Sequence, residues 1–375
     1  MGIILVVGVL VAGCSDDDNP AKPQGTWSWS TLGTGVNSSV SALTVYDNKL
    51  IAGGGFTSAG GVSAICIAAW NGSIWTPLST GMDDYIGALT VYDDKLIAGG
   101  FFYTAGGVSA SHIAAWDGSS WAPLGSGMDW SVEALNVNDN KLVNDVPLVT
   151  GINNGLYVIA LTVYNNKLIA GGYFATAGGV SAYNIAAWNG TSWAPLGTGM
   201  NETVEALTVY NGMLIAGGLF TTAGGVSANH IAAWNGTSWA PLGTGFNNSV
   251  TSLTVYDNML IAGGYFTTAG GVSANYIAAW DGNTWSPLGT GMNGNVRTLA
   301  AYGNILIAGG WFTLAGGVGA NCIAAWDGNS WGPLGTGIDN TVLALTVYDN
   351  KLEVGGYFTT AGGNSANNIA EWGLK

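Results

Sequence analysis

The chain has 375 residues, of which 8% are charged, and its formal net charge is −14. With 61 Gly, 17 Trp and 15 Tyr it is too aromatic for a disordered chain and too rich in glycine for a helical one, so we expect many short strands joined by glycine turns. Nucleic-acid binding relies on clustered Lys and Arg, and the eight basic residues are scattered, which excludes a nucleic-acid partner.

Residues 2–13 (GIILVVGVLVAG) form an apolar run that is too short for a helix across a bilayer, which needs about 20 residues. Such a run is typical of an export signal. The VAGC that ends at Cys14 resembles the lipobox of bacterial lipoproteins. That resemblance implies a signal peptide over residues 1–13 and acylation of Cys14, although no Lys or Arg precedes the run. The alternative is an apolar N-terminus that happens to contain a cysteine.

Residues 14–26 then predict an acidic, flexible tether, because SDDDNPAKPQG has the composition of a linker. Its SDDD resembles the acidic stretch that sends some lipoproteins of the Bacteroidetes to the cell surface. The resemblance implies a place in the bacterial cell envelope, at the outer membrane or the cell surface, with the lipid as the only membrane attachment. The alternative is a solvated tether with no sorting role.

The rest of the chain is a tandem repeat. LIAGG begins at six positions, mostly 46 residues apart, and a variant (LEVGG) begins at Leu352; the six are Leu50, Leu96, Leu168, Leu214, Leu260 and Leu306. One unit holds four strand signals: VEALTVY (204–210), LIAGGLF (214–220), IAAW (231–234) and WAPLG (239–243). Two-residue Asn, Asp and Gly turns separate the first pair and the last pair, and a longer loop separates the middle pair. The period and strand count predict an all-β fold, a β-propeller of four-stranded blades.

Several marks of the unit resemble the kelch and galactose-oxidase class of propellers: Gly-Gly after the second strand, an aromatic at the end of the third, and Trp at the start of the fourth. The AGG-x-F-T-x-AGG motif of each unit is similar to bacterial repeats related to fungal cortical polarity-marker proteins. The resemblance covers residues 27–372 and implies the fold, but it specifies no function. It departs from kelch repeats in the spacing of Trp234 and Trp239, which are separated by four residues.

The propeller domain is predicted to span residues 27–375. It opens with a fourth strand at Trp27 and ends with a third strand near Trp372, so the N-terminal strand can complete the C-terminal blade and leave no free outer edge. Seven units are complete, and a degenerate one lies at about 126–157. The ring therefore has either eight blades, one of them thin, or seven blades with an inserted hairpin. The retained first strand (VEALNVN, 132–138) favours eight.

The long second-to-third and fourth-to-first loops are predicted to share one face of the ring, where ligands have room. Positions that differ between near-identical units fall in these loops, before the second-strand Phe and before IAAW. The candidate ligand residues are Phe101, Tyr173, Tyr265, Trp311, Tyr357, His112, His230 and Tyr276. Aromatic side chains there would provide flat apolar surfaces for sugars or protein side chains. The alternative is free drift of surface loops.

The sequence predicts no catalytic, metal or cofactor site. His112 and His230 occupy equivalent places in units that are not neighbours, so a shared metal is not expected, and the copper chemistry of galactose oxidase is not implied. Cys66 and Cys322 are likewise equivalent residues of different units and are expected as free thiols. The recurring Trp residues are interpreted as packing between blades.

These observations predict a monomeric binding, adhesion or display module for a glycan or a protein, and not an enzyme. The alternatives are a carbohydrate-active lyase or hydrolase, or an inert envelope scaffold.

Overall fold

A computed structural model describes residues 26–123 and 157–374, apart from positions 93, 111, 178–179 and 190–191. The described residues form strands and turns, with no helix. They build seven four-stranded antiparallel sheets arranged as the blades of a propeller, which confirms the predicted fold class. The predicted signal peptide (1–13), nearly all of the tether (14–26) and the degenerate unit, except for its last residue, lie outside the described residues.

We number the blades 1 to 7 in the chain order of their innermost strands. The innermost strands are Val40–Tyr46, Ile86–Tyr92, Tyr157–Tyr164, Val204–Tyr210, Val250–Tyr256, Val296–Tyr302 and Val342–Tyr348. The second strands are Lys49–Gly54, Lys95–Gly100, Lys167–Tyr173, Met213–Gly218, Met259–Gly264, Ile305–Gly310 and Lys351–Gly356. The third strands are Ile67–Trp70, Ile113–Trp116, Ile185–Trp188, Ile231–Trp234, Ile277–Trp280, Ile323–Trp326 and Ile369–Leu374. The outermost strands are Trp75–Pro77, Trp121–Pro123, Trp193–Pro195, Trp239–Pro241, Trp285–Pro287, Trp331–Pro333 and, for blade 7, Trp27–Thr31.

A small two-stranded hairpin lies in each loop between the second and third strands. The seven hairpins pair Ser58–Ala59 with Val62–Ser63, Thr104–Ala105 with Val108–Ser109, Thr176–Ala177 with Val180–Ser181, Thr222–Ala223 with Val226–Ser227, Thr268–Ala269 with Val272–Ser273, Leu314–Ala315 with Val318–Gly319, and Thr360–Ala361 with Asn364–Ser365.

The turn between the first two strands follows from its residues. In blade 1, Asp47 and Asn48 have φ of 49° and 54°, the left-handed values that a tight two-residue hairpin requires. Each innermost strand also contains a bulge near its start, where one residue has no partner in the register, as at Ser41 between Val40 and Ala42. The equivalent bulged residues are Ser41, Gly87, Ile159, Glu205, Thr251, Arg297 and Leu343.

Two sets of hydrogen bonds join neighbouring blades. A Trp of the outermost strand donates its indole N–H to a Leu carbonyl that directly follows the outermost strand of the preceding blade, as from Trp75 to Leu32 at 2.8 Å. Five further Trp residues repeat this bond: Trp29, Trp121, Trp239, Trp285 and Trp331. The structure thereby confirms that these Trp residues link blades.

On the opposite side of five blades, the Tyr that ends the innermost strand donates its hydroxyl to a backbone carbonyl of the next blade. Tyr256 donates its hydroxyl to the Asn304 carbonyl at 2.7 Å. Tyr348 of blade 7 donates to the Asn48 carbonyl of blade 1 at 3.0 Å, so this chain of contacts continues across the closure of the ring.

The N-terminal strand completes blade 7, as predicted. Trp27–Thr31 pairs antiparallel with Ile369–Leu374, and Trp29 lies opposite Trp372. The ring has seven blades, because Ile97 and Ala115 of blade 2 pack in one core cluster with Ala170 of blade 3. The preference for eight blades was therefore wrong: the described residues form seven blades, and blade 3 packs against blade 2.

Blade 7 departs from the repeat at two positions that face each other in its sheet. Glu353 stands where the other second strands have Ile, and Glu371 stands opposite it in the register where the other third strands have Ala. Lys351 binds both oxygens of Glu371 at 2.9 and 3.1 Å. Glu353 is 0% exposed, and neither of its oxygens has a hydrogen-bond partner among the described residues. Burial, with the Glu371 carboxylate second, raises the pKa of Glu353 to about 9.

We expect Glu353→Ile to stabilise the fold by roughly 1–3 kcal/mol at pH 7, because it restores the apolar residue of the other blades and removes a buried acid. The folded chain keeps this proton up to about pH 9, whereas the unfolded chain loses it near 4.5. The wild-type protein should therefore lose stability as pH rises across that window, and the variant should lose less. Urea unfolding at pH 5, 7 and 9 measures both effects. Equal slopes for the two proteins would contradict this account of Glu353.

Candidate ligand-binding face

The loops between second and third strands and the loops that leave outermost strands form one face of the ring, which we call the loop face. At six places around the ring, a single side chain of one loop set hydrogen-bonds to the backbone of the other loop set. The Asn37 carboxamide oxygen accepts the backbone N–H groups of Thr57 at 2.8 Å and Ser58 at 3.0 Å. The same clamp recurs at Asp83, Asn201, Asn247, Asn293 and Asp339. The loop face is thus held in place before any ligand arrives, which lowers the entropic cost of binding.

Exposed apolar side chains are concentrated on the loop face. Among the described residues, 18 large hydrophobic side chains are exposed, and only Ile74, Val255 and Val347 lie elsewhere. Val255 and Val347 line the central channel, and Ile74 lies in a turn on the opposite face, which we call the turn face. Concentration of apolar surface on one face is typical of an interaction site.

The position before the second-strand Phe supplies much of this surface. Trp311 is 64% exposed and Tyr357 52%, and Phe101 and Tyr173 are also exposed. Phe101 meets the edge of the Tyr85 ring at 5.9 Å between centroids. Tyr265 is partly covered, because the Arg297 guanidinium lies 5.3 Å from its ring centroid.

The position before the third strand behaves differently. His112 is only 3% exposed, and its ring contacts that of Tyr103 at 4.6 Å. His230 and Tyr276 are half-buried, and His230 Nδ1 lies 3.1 Å from the Gly218 carbonyl oxygen. Burial lowers the pKa of His230. All three residues have φ near +65°, and this left-handed turn places their side chains in or near the base of the loop instead of at its tip.

The structure exposes further aromatic residues that the sequence argument did not select. Tyr103 and Tyr183 are among the exposed residues of the loop face. Tyr103 occupies the place where most units have Thr after the buried Phe, and Tyr183 occupies a place where most have Asn. A comparison of every loop position between units, not only the two most variable ones, would have found both.

A channel of about 900 Å³ runs along the axis of the ring, lined by the innermost strands. Among its lining residues the bulged Glu205 is the only carboxylate. Glu205 is mostly buried, and burial raises the pKa of its carboxyl. The bulged Thr251 donates its hydroxyl to the Val296 carbonyl at 2.8 Å.

A second cavity of about 490 Å³ opens on the loop face between blades 6 and 7. Its walls include Gly294, Trp311, Asn321, Cys322 and Asp339. Asn293 and Asp339, at its edge, are engaged in the loop clamps, whereas Asn321 uses only its amide, which donates to the Thr336 carbonyl at 3.1 Å. The Asn321 carboxamide oxygen is therefore available to a ligand hydroxyl.

The described residues offer no set of side chains that could hold a metal ion. No cluster of three His, Cys, Asp or Glu side chains occurs among them. Cys66 and Cys322 are buried free thiols. No helix within the described ranges is long and apolar enough to cross a membrane.

Comparison with known proteins supports the fold and does not extend to function. A family described as a domain of unknown function (DUF5122) beta-propeller matches residues 349–371, in blade 7. The computationally designed Ika8 protein is 17% identical with a TM-score of 0.55, over 91% of this chain and 98% of that one. The WD40 propeller domain of Doa1 is 13% identical with a TM-score of 0.54, over 94% and 97% of the two chains.

The WD40 repeats of RRP9 are similar to the same degree, with 13% identity and a TM-score of 0.54 over 91% of this chain and 96% of that one. No curated protein matches the sequence. At these identities the likeness shows the β-propeller fold alone.

We expect the two propeller thiols to be unreactive in the native state. Burial raises the pKa of Cys66 to about 11, with Asp84 and Asp83 adding to the effect, and burial also raises that of Cys322. At pH 8 a shift of two pH units lowers the thiolate fraction of Cys66 about 100-fold. Iodoacetamide labelling of the Cys14→Ser chain, followed by mass spectrometry, should be slower than labelling in urea at both thiols, and by roughly that factor at Cys66. Rapid native modification of either thiol would contradict the burial of these side chains.

Proposed function

We propose that this protein is an exported, lipid-anchored binding module whose loop face recognises a saccharide. The observation that carries the proposal is the gathering of exposed apolar and aromatic side chains on one face of the ring, where fixed loops surround Trp311 and a cavity. Aromatic rings stack on the apolar faces of sugars, and an exposed indole loses little conformational freedom when it does so.

Two features favour binding over catalysis. Glycoside cleavage by acid–base chemistry uses two carboxyl groups facing each other across a bond. On the loop face, Asp83 and Asp339 accept backbone N–H groups in the clamps, and Glu205 is the single carboxylate among the channel-lining residues. A charge-poor aromatic surface is the composition of a binding face. Not being an enzyme remains part of the proposal.

The envelope location belongs to the same proposal and depends on Cys14 and the apolar run before it. Acylation at Cys14 would attach the propeller to a membrane through a lipid and residues 15–26, with the ring itself outside the bilayer. The acidic SDDD after Cys14 supports placement at the outer membrane or cell surface of a bacterium.

Replacement of Cys14 by Ser should abolish lipid attachment and leave the propeller fold unchanged, because Cys14 is outside the ring. Metabolic labelling with a fatty acid in a bacterial host, with fractionation of membranes, measures the first effect. Labelling that persists in Cys14→Ser would show that the lipid, if present, is attached elsewhere, and equal membrane association of both chains would remove the anchor from the proposal.

A glycan array with the full-length chain in detergent tests the saccharide. We expect binding that falls at least tenfold in the Trp311→Ala, Tyr357→Ala double variant, because base and sugar stacking on an aromatic ring typically contributes about 1–3 kcal/mol. Ile74→Ala is the matched control, since Ile74 is 58% exposed on the turn face.

Equal loss of binding in Ile74→Ala would place recognition away from the loop face. An array on which the chain binds no glycan would remove the saccharide and leave a protein ligand to be sought on the same face.

A further inference from the structure

Blade 6 differs from the other six blades, and its differences lie mostly on the loop face. It has Gly294 where five of the other blades have a polar residue, and Trp311 where the other blades have smaller or less exposed residues. It also carries Arg297, the only arginine in the chain, at the bulged position of its innermost strand. If the surface loops accumulated substitutions at random, such differences would occur in all blades.

Arg297 and Trp311 are brought together by the strand register. Val296 pairs with Gly310 and Thr298 with Gly309, so the bulged Arg297 lies beside the end of the strand from which Trp311 follows. The Trp311 backbone N–H donates to the Asn295 carbonyl at 3.0 Å, which joins the two segments directly. The two backbone segments are therefore adjacent, whereas the guanidinium extends towards blade 5 and the indole lines the cavity towards blade 7.

The Arg297 guanidinium is exposed, and it lies over the Tyr265 ring of blade 5. Within the part of the chain that the structure describes, it makes no ion pair. The described lysines, Lys49, Lys95, Lys167 and Lys351, all begin second strands, at the turn face. Among the described residues Arg297 is thus the only Lys or Arg of the loop face, in a chain whose net charge is −14.

The Glu205 carboxyl lies two blades away on the same row of bulges and interacts with Arg297 through space. Its negative charge opposes the positive potential of the guanidinium. Glu205 is mostly buried and bonded to Ser249, so it does not occupy the donors of the guanidinium. Those donors form a planar fork that fits a carboxylate or a sulfate.

We propose that the loop face of blade 6 binds an anionic oligosaccharide that crosses the blade, with one sugar ring stacked on Trp311 and a carboxylate or sulfate group of the chain paired with Arg297. The neighbouring cavity of about 490 Å³ is within the range of about 300–1,000 Å³ for small-ligand sites, and Asn321 offers an acceptor there for a sugar hydroxyl. This inference rests on the proposed function and specifies the class of sugar, which the proposed function leaves open.

Uronate oligosaccharides and their methyl esters are the matched probes, because esterification removes the charge and leaves the sugar and the linkage unchanged. Galacturonate, glucuronate and mannuronate oligomers, each beside its ester, and a sulfated galactan oligomer are titrated into the full-length chain in detergent. We expect at least one acid to bind about tenfold more tightly than its ester, since a hydrogen bond to a charged group contributes more than a neutral one. The preference should shrink with added salt.

The variants separate the parts of the site. Arg297→Gln should remove the preference for the acid and leave binding of the ester, whereas Trp311→Ala should weaken both to a similar degree. Glu205→Gln should strengthen binding of the acid a few-fold, because it removes a repelling charge. Lys49→Gln is the control: it removes one positive charge from the turn face and should change nothing.

Equal binding of acids and esters would overturn the inference and leave saccharide binding intact. Loss of binding in Lys49→Gln as large as in Arg297→Gln would also overturn it, as general electrostatic attraction. Arg297-dependent binding of the sulfated galactan alone would support the anionic class with sulfate as the group recognised. Binding of no probe, acidic, sulfated or neutral, would reject both this inference and the proposed function.

Discussion

Every blade of this protein is apolar on both faces of its sheet, so each blade needs a neighbour on each side. A row of such sheets would leave two unburied faces, and a closed ring leaves none. The links between blades enforce this arrangement: an indole N–H donates to the blade before it, as from Trp75 to Leu32, and a tyrosine hydroxyl donates to the blade after it, as from Tyr256 to Asn304. The loop face depends on this ring, because its loops are fixed only when the strands beneath them are fixed.

Most of the fold could be predicted from the sequence because local signals repeat and agree. Two-residue turns such as Asp47-Asn48 fix the hairpins, and the 46-residue period fixes the blade. The number of blades could not be predicted in this way. A unit that keeps the sequence of a first strand but lacks a third strand is compatible with seven or with eight blades. The number of blades follows from the packing of Ile97 and Ala115 against Ala170, which are far apart in the chain.

The site was less predictable than the fold. Comparison of the units finds positions that vary, and it selected Trp311 and Tyr357, whose side chains are exposed. Variation does not give the direction of a side chain, however. His112 varies in the same way and yet is buried, because its backbone adopts a left-handed turn that the residue type does not announce. Arg297 was overlooked because a single basic residue forms no pattern, and its place beside Trp311 depends on a bulge and on strand register.

The contact between Ser30 and Glu371 bears on how a ring of near-identical units closes correctly. The Ser30 hydroxyl donates to Glu371 Oε1 at 2.8 Å, in the sheet that joins the two ends of the chain. The other six third strands have Ala at the place of Glu371 and offer no acceptor side chain there: Ala69, Ala115, Ala187, Ala233, Ala279 and Ala325. The third strands of the other six blades resemble that of blade 7 in most other positions. Glu371 therefore distinguishes the third strand of blade 7 as the partner of the N-terminal strand, although the two strands are more than 300 residues apart in the chain.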